Sequence, residues 1–146
     1  LDNPIPRPNP RPYEEPDPNS TESREDRVKR ITEQIFADLG YEDPNIAFGV
    51  ELDPDYFEVY SKIYWGFWES RECHLDPITR EMVLIVLMAF RGLREELYQH
   101  CKKALRLGAT MEQLLECFQV CVAPAGLGQL HLGLESLRTI HEEQKA

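Results

Sequence analysis

Residues 95–110, EELYQHCKKALRLGAT, decide the fold because they show a helical repeat that runs to a glycine stop and a new helix start. His100 falls on the same stripe as Leu97, Cys101 and Ala104, which are the positions that a helix keeps for inward side chains. Most inward positions of a helix carry apolar residues. An imidazole at such a position therefore needs either a buried partner or a chemical role.

The chain around this stretch shows further helical signals and no convincing strand, so we predict an all-α fold of about six helices. Asp-Pro pairs at Asp53 and Asp76 predict two of the helix starts, because Asp caps a helix and Pro suits its first turn. The helix after Asp76 is apolar nearly all round, which is typical of the middle of a bundle or of an oligomer interface. The last helix is predicted to pack through Leu127, Leu130, Leu134, Leu137 and His141.

The first 20 residues differ from the rest in composition, with seven prolines among the first 18. Proline lacks the amide donor and keeps its predecessor out of the helical region. We therefore predict an extended arm at residues 1–20 and an all-helical domain at residues 21–146. Such an arm is usually a surface tail, although it could also cross a neighbouring subunit.

The charge of the chain argues against two classes of partner. The net charge is -10, and no basic stripe offsets it, so nucleic acid and anionic membrane surfaces are not expected partners. The longest apolar run, MVLIVLMAF at residues 82–90, is far short of the roughly 20 residues that span a bilayer.

The four cysteines contain no C-x-x-C pair and are too few for a disulfide scaffold. This usage fits a reducing compartment, and we predict a cytoplasmic protein. Cys117 and Cys121 are four residues apart and share a helix face, but further ligands at a metal-binding spacing are missing. We therefore predict no metal site.

Glu81 and His100 are the two polar residues that the pattern places on inward faces. If their helices form an antiparallel hairpin that turns at Gly92, the two side chains lie at a similar depth. A carboxylate facing an imidazole can support general acid and base chemistry near neutral pH. Glu96, four residues before His100, could orient the ring, or it could be an ordinary exposed helix acid. Glu81 could equally be a first-turn acid paired with an arginine.

The run from Leu75 to about Leu137 resembles the carboxymuconolactone decarboxylase family, within the wider group of alkylhydroperoxidase D-like proteins. The similar features are LDPITRE before an apolar helix, EELYQH followed by ALRLGAT, and the EQLLE helix with its Pro and Gly end. The resemblance implies an alkylhydroperoxidase D-like helical bundle. It also matches Glu81 and His100 to the Glu and His of the family's peroxidases.

The two redox cysteines of those peroxidases fall on Leu93 and Glu96 of this sequence, so both thiols are missing. The resemblance therefore implies the decarboxylase branch, in which a small lactone carboxylic acid or a β-keto-acid-like substrate loses carbon dioxide without a metal or organic cofactor. His100 is then expected to be the general acid and base, assisted by Glu81 and Glu96. We expect Arg91 to bind the substrate carboxylate, and Tyr64 and Trp68 to form a pocket wall.

The expected partners are a small carboxylate substrate and further copies of the chain, as a dimer, trimer or hexamer, because apolar and aromatic surface exceeds what one small bundle can cover. Two alternatives remain open. One is a thiol-dependent peroxidase or disulfide reductase of the same superfamily. The other is a non-catalytic oligomeric binding protein in which Glu81 and His100 are only a buried structural pair.

Overall fold

The computed structural model describes residues 21–66, 68 and 71–146. The arm predicted at residues 1–20 lies outside the described residues. The described part of the chain contains eight α-helices and no strand, so the predicted all-α class is confirmed. It divides into two compact units, one that ends at His74 and one at Leu75–Ala146. The domain boundary at residue 21 stays a prediction.

The first unit is built from three helices around a small apolar core. Ile31 and Ile35 of the first helix and Val50 of the second are its buried residues. Glu58 of the third helix is also buried, and Arg27 pairs with its carboxylate. The helices are α1 (Arg24–Leu39), α2 (Pro44–Leu52) and α3 (Pro54–Ser61), and α3 continues into a π-helical turn at Lys62–Gly66.

Helix α2 is missing from the sequence prediction of six helices, although it begins with a signal of the same kind as α3. Asp43 caps it by accepting a hydrogen bond from the backbone N–H of Asn45 at 2.8 Å, and Pro44 occupies the first turn. Only one residue, Asp53, separates the helical part of α2 from that of α3. The helix has only nine residues, so its apolar repeat is too short to predict it. The Asp43-Pro44 pair is the sequence signal that could have predicted it.

The second unit is a bundle of five helices around a larger apolar core. Among the described residues, none of its helices combines the length and the apolar character needed to cross a bilayer, and the same holds for the first unit. The helices are α4 (Pro77–Arg91), α5 (Arg94–Arg106), α6 (Met111–Val120), the short α7 (Val122–Ala125) and α8 (Leu127–Lys145). The most buried residues are Ile85, Ala89, Leu97, Cys101, Ala104, Leu114, Phe118 and Ile140.

The packing face predicted for α8 is wrong in most of its positions. Leu127 is 70% exposed and Leu134 is 45% exposed, whereas Leu137 is buried as predicted. The buried face of α8 includes Gly133 instead. An ideal Cβ atom placed at Gly133 would lie only 2.2 Å from the Phe118 ring, so the ring packs directly against this glycine. The lack of a side chain at this glycine lets the ring approach the helix backbone. The buried residues of α8 are Gly133, Ser136, Leu137 and Ile140.

The contact between Gly133 and Phe118 makes Gly133→Ala a destabilising substitution. Alanine normally stabilises a helix by about 0.5–1 kcal/mol relative to glycine. Here the added methyl group meets a ring that is fully buried and has no room to move, and overpacking of this kind costs about 1–3 kcal/mol. We expect the free energy of unfolding, measured by urea denaturation, to fall in the variant.

Gly128→Ala is the matched control, because Gly128 lies in the same helix and a Cβ atom there meets no other atom within 4 Å. Its free energy of unfolding should stay equal or rise slightly. Equal responses of the two variants would contradict the packing of Phe118 against α8.

Candidate active site

Helices α4 and α5 form a tight antiparallel hairpin. The Asp76 carboxylate starts α4 by accepting a hydrogen bond from the Thr79 backbone N–H at 3.0 Å. At the other end, Gly92 adopts a left-handed conformation, with φ 70°, that strongly favours glycine. The N–H groups of Gly92 and Leu93 bond back to the last carbonyls of α4, which closes the helix before α5 begins. This turn brings the inner faces of the two helices together.

The inner faces of this hairpin carry one carboxylate and one imidazole among apolar residues. Glu81, Ile85 and Ala89 are the buried residues of α4, at a spacing of four. His100 is buried on α5 together with Leu97, Cys101 and Ala104. Glu81 and His100 are each only 6% exposed. Burial of this degree requires that both polar groups find partners.

Glu81 and His100 are those partners for each other. The His100 Nδ1 atom lies 2.6 Å from the Glu81 Oε2 atom. The second carboxylate oxygen, Oε1, lies 3.3 Å from the Nζ atom of Lys103. Burial alone would raise the pKa of Glu81, but the hydrogen bond from His100 and the charge of Lys103 together hold that pKa below its usual value. Glu81 is therefore ionised near neutral pH, and Nδ1 of His100 donates the hydrogen bond.

Lys103 is a member of this cluster that the sequence analysis missed. It lies three residues after His100 on α5, so it shares the inward side of the helix, and its side chain is only 21% exposed. The alternative interpretation paired Glu81 with an arginine, whereas the cation beside Glu81 in the structure is the ammonium group of Lys103. The spacing from His100 was the available signal.

Glu96 does not join the pair. It is exposed in the first turn of α5, and within the described residues no hydrogen bond links it to His100. An acidic residue there also has a structural reason, because it faces the positive end of the helix dipole. Orientation of the ring falls to Glu81, and a contact of Glu96 with substrate stays a prediction.

Arg91 lies at the other end of α4 from Glu81. The two residues are ten positions apart, which is about 15 Å along the helix axis. Arg91 is exposed and lines an open groove of about 690 Å³ together with Arg94 and the first turn of α8. Within its unit, the structure does not bring Arg91 to the Glu81 carboxylate, and its role in substrate binding stays a prediction.

Tyr64 and Trp68, the predicted pocket wall, belong to the first unit. Tyr64 stacks on Tyr60, with ring centroids 5.9 Å apart and planes inclined by 12°. The Arg71 guanidinium lies 5.3 Å from the centroid of the Trp68 ring. Both contacts are local, and the role of the two rings as a pocket wall stays a prediction.

The thiol nearest to the site in sequence is poorly suited to redox chemistry. Cys101 has no exposed surface, and burial raises its pKa to about 12, so it is not a thiolate near neutral pH. All four cysteines are free thiols. Among the described residues, no three His, Cys, Asp or Glu side chains are grouped as a metal site would require.

Comparison with known proteins gives one family match and one structural match. The sequence profile of the carboxymuconolactone decarboxylase family matches residues 54–136. The fold is similar to a crystal structure from Burkholderia xenovorans LB400 of a protein whose name, carboxymuconolactone decarboxylase, is itself provisional. That comparison has a TM-score of 0.66 and 17% identity, and covers 84% of this chain and 97% of the other. No curated protein matches the chain significantly.

Proposed function

The chain belongs to the carboxymuconolactone decarboxylase family, and from that premise we propose that it is a cofactor-independent carboxy-lyase. The proposed substrate is a small lactone carboxylic acid or a β-keto-acid-like molecule. His100 acts as the general acid and base, and Glu81 orients it. The observation that carries this proposal is the buried hydrogen bond between His100 Nδ1 and Glu81 Oε2.

The reaction makes modest demands on the protein. The bond between carbon and the substrate carboxylate breaks, and its electron pair stays on the carbon, delocalised into an adjacent carbonyl group. Carbon dioxide leaves, and the carbon then takes a proton. Because Nδ1 donates to Glu81, the other ring nitrogen, Nε2, exchanges the proton: in the imidazolium form of His100 the Nε2 proton passes to the carbon, and the neutral ring then takes a new proton from solvent. No electron acceptor is needed.

The buried setting of the pair supports this role. A hydrogen bond between charged groups is stronger where water is excluded, so Glu81 holds the ring in one tautomer and one orientation. Imidazole gains and loses a proton near neutral pH, and with Nδ1 held by Glu81 that exchange takes place at Nε2. The apolar residues around it on α4 and α5 would also strip water from a bound substrate carboxylate.

The remaining parts of the proposal concern substrate binding and assembly. Arg91, Glu96, Tyr64 and Trp68 remain the proposed substrate contacts, and a partner subunit could bring such groups to the hairpin. Homo-oligomerisation is supported by an apolar stripe on the outer face of α4 that is about half exposed. The stripe consists of Val83, Leu87 and Phe90. A cytoplasmic location is also proposed, from the free cysteines.

The proposal is tested by measuring carbon dioxide release from two probes, carboxymuconolactone and acetoacetate, with and without a metal chelator. We expect release above the uncatalysed rate from at least one probe, unchanged by the chelator. Turnover of neither probe, together with consumption of a hydroperoxide by the same protein, would favour the thiol peroxidase alternative.

Cys101→Ala separates the two chemistries directly. Since the thiol is buried and protonated, the variant should release carbon dioxide at a rate within about twofold of the wild type. Circular dichroism checks that both proteins are folded equally. Loss of turnover in a folded Cys101→Ala protein would assign the reaction to the thiol and overturn the proposed role of His100.

A further inference from the structure

Lys103 belongs to the buried cluster with Glu81 and His100, but the proposed reaction assigns it no role. Its ammonium group lies 3.3 Å from Glu81 Oε1, while Glu81 Oε2 is taken by His100. Each carboxylate oxygen therefore has a separate cationic or donor partner. Lys103 and His100 both come from α5, so one helix surrounds the carboxylate that α4 supplies.

We propose that Lys103 is a positioning residue of this site: its ammonium group keeps the Glu81 carboxylate ionised and in place, so that proton exchange with the substrate occurs at Nε2 of His100. This inference rests on the proposed function for its catalytic meaning. The contacts that carry it are independent of any substrate.

The need for Lys103 follows from how a buried carboxyl and imidazole share a proton. With only His100 as a partner, Glu81 could sit as a neutral acid that donates to Nδ1, or as a carboxylate that accepts from it. The first arrangement would leave Nδ1 without its proton and reverse the tautomer. A positive charge beside Oε1 favours the carboxylate, and so it selects the tautomer in which Nδ1 donates.

The charges that lower the pKa of Glu81 come from Lys103 and His100. Arg80 precedes Glu81 on α4 and is partly buried, and α5 presents His100 and Lys103. Burial raises the pKa of Cys101 to about 12, so that thiol is neutral near pH 7. The apolar side chains that α6 and α8 pack into the same core include Leu114, Phe118, Leu137 and Ile140, and burial raises the pKa of the Cys117 thiol.

The chain offers a matched set of variants. Lys103→Met removes the charge and keeps most of the aliphatic stem, and Lys103→Arg restores a cation. Lys102→Met is the control, because the neighbouring Lys102 lies on the outer side of α5, where its ammonium group bonds Tyr98 at 3.1 Å and Glu143 at 3.2 Å. All variants are made in the full chain, and circular dichroism confirms that each is folded.

The first measurement needs no substrate. Carbon-13 NMR of glutamate-labelled protein follows the Glu81 carboxyl through a pH titration, with Glu81→Gln used to assign the signal. We expect the titration midpoint to rise by about one pH unit or more in Lys103→Met, because an opposite charge at this distance is lost. It should recover in Lys103→Arg and stay unchanged in Lys102→Met. An unchanged midpoint in Lys103→Met overturns the inference.

The second measurement is the pH dependence of carbon dioxide release from carboxymuconolactone. The reaction needs ionised Glu81, so a higher Glu81 pKa moves the acid limb of the profile to higher pH. A shift of one unit lowers kcat about tenfold on the acid side and little at alkaline pH. KM should hardly change. A KM that rises at every pH, with the acid limb in place, would make Lys103 a direct substrate contact and contradict the positioning role.

The two measurements separate the inference from the function on which it rests. A midpoint shift without release of carbon dioxide by any variant would contradict the proposed function and leave the contact of Lys103 with Glu81 supported. Release that depends on His100, combined with a Glu81 midpoint that Lys103→Met does not move, would contradict the inference alone.

Discussion

Replacement of His100 by glutamine is expected to lower kcat for carbon dioxide release by about 10²- to 10⁴-fold, the usual contribution of a general acid. Glutamine suits the test because its side-chain amide can still donate a hydrogen bond to the Glu81 carboxylate. The buried carboxylate then keeps a partner, so the fold is largely preserved. What glutamine cannot do is deliver a proton to carbon. The measurement is a steady-state assay with carboxymuconolactone or acetoacetate, whichever the wild-type protein turns over.

His141→Gln is the control for this prediction, since His141 is an exposed histidine near the end of α8. It should retain wild-type turnover. A His100→Gln protein that is folded and retains turnover would instead show that Glu81 and His100 are only a buried structural pair and that another group carries the reaction. In that case His100→Ala would lower the free energy of unfolding without lowering the rate.

Glu81→Gln adds a test of how the pair works together. Alone, it should lower kcat, because the ring loses the carboxylate that fixes its tautomer. In a His100→Gln background the same change should lower kcat much less, since Glu81 acts through His100. Independent, multiplicative losses would mean that Glu81 has its own contact with the substrate.

The sequence was sufficient to predict the hairpin that carries the site because local signals mark both of its ends. Asp76 and Pro77 start α4, and Gly92 ends it with a backbone conformation that suits glycine. Between these limits, helical periodicity determines which side chains face inward, and it identified Glu81 and His100 as buried. The family resemblance then linked the same two residues to a reaction class.

Lys103 could not be predicted in the same way, because periodicity gives the direction of a side chain's first bond and not the position of its charge. The long aliphatic stem of a lysine can lie along apolar surface while the ammonium group reaches a distant partner. A lysine near an inward face is thus compatible with either a solvent-exposed charge or a buried one. The 3.3 Å contact with Glu81 depends on how closely α4 and α5 pack, which is a tertiary property.

The face of α8 was mispredicted for a related reason. Leucines lie on more than one side of this helix, and a glycine carries no hydrophobic signal that would favour its own side. The contact with Phe118 on α6 determines which face of α8 is buried. The Phe118 ring packs where a Cβ atom of residue 133 would lie, and only a glycine leaves that space open. Such complementarity between two helices is invisible in either one alone.

Phe118→Ala is expected to be the most destabilising single change in the second unit. Phe118 is the largest side chain with no exposed surface, and it joins α6 to α8 within the main core. Truncation of a buried phenylalanine to alanine costs about 3–5 kcal/mol, because apolar burial is lost and a cavity remains. Urea denaturation of the full chain at one fixed protein concentration measures the loss, which keeps any oligomer contribution equal between variants.

Val120→Ala serves as the control, because Val120 lies on the same helix and is 76% exposed. Its effect should stay within about 0.5 kcal/mol. A double-mutant cycle with Gly133→Ala then locates the cause. Once the ring is gone, the added methyl group fills part of the cavity and also gains helix propensity, so Gly133→Ala should turn from destabilising to neutral or stabilising. Additive losses in the cycle would show that Phe118 and Gly133 are not in contact, and that the register of α8 in this bundle is different.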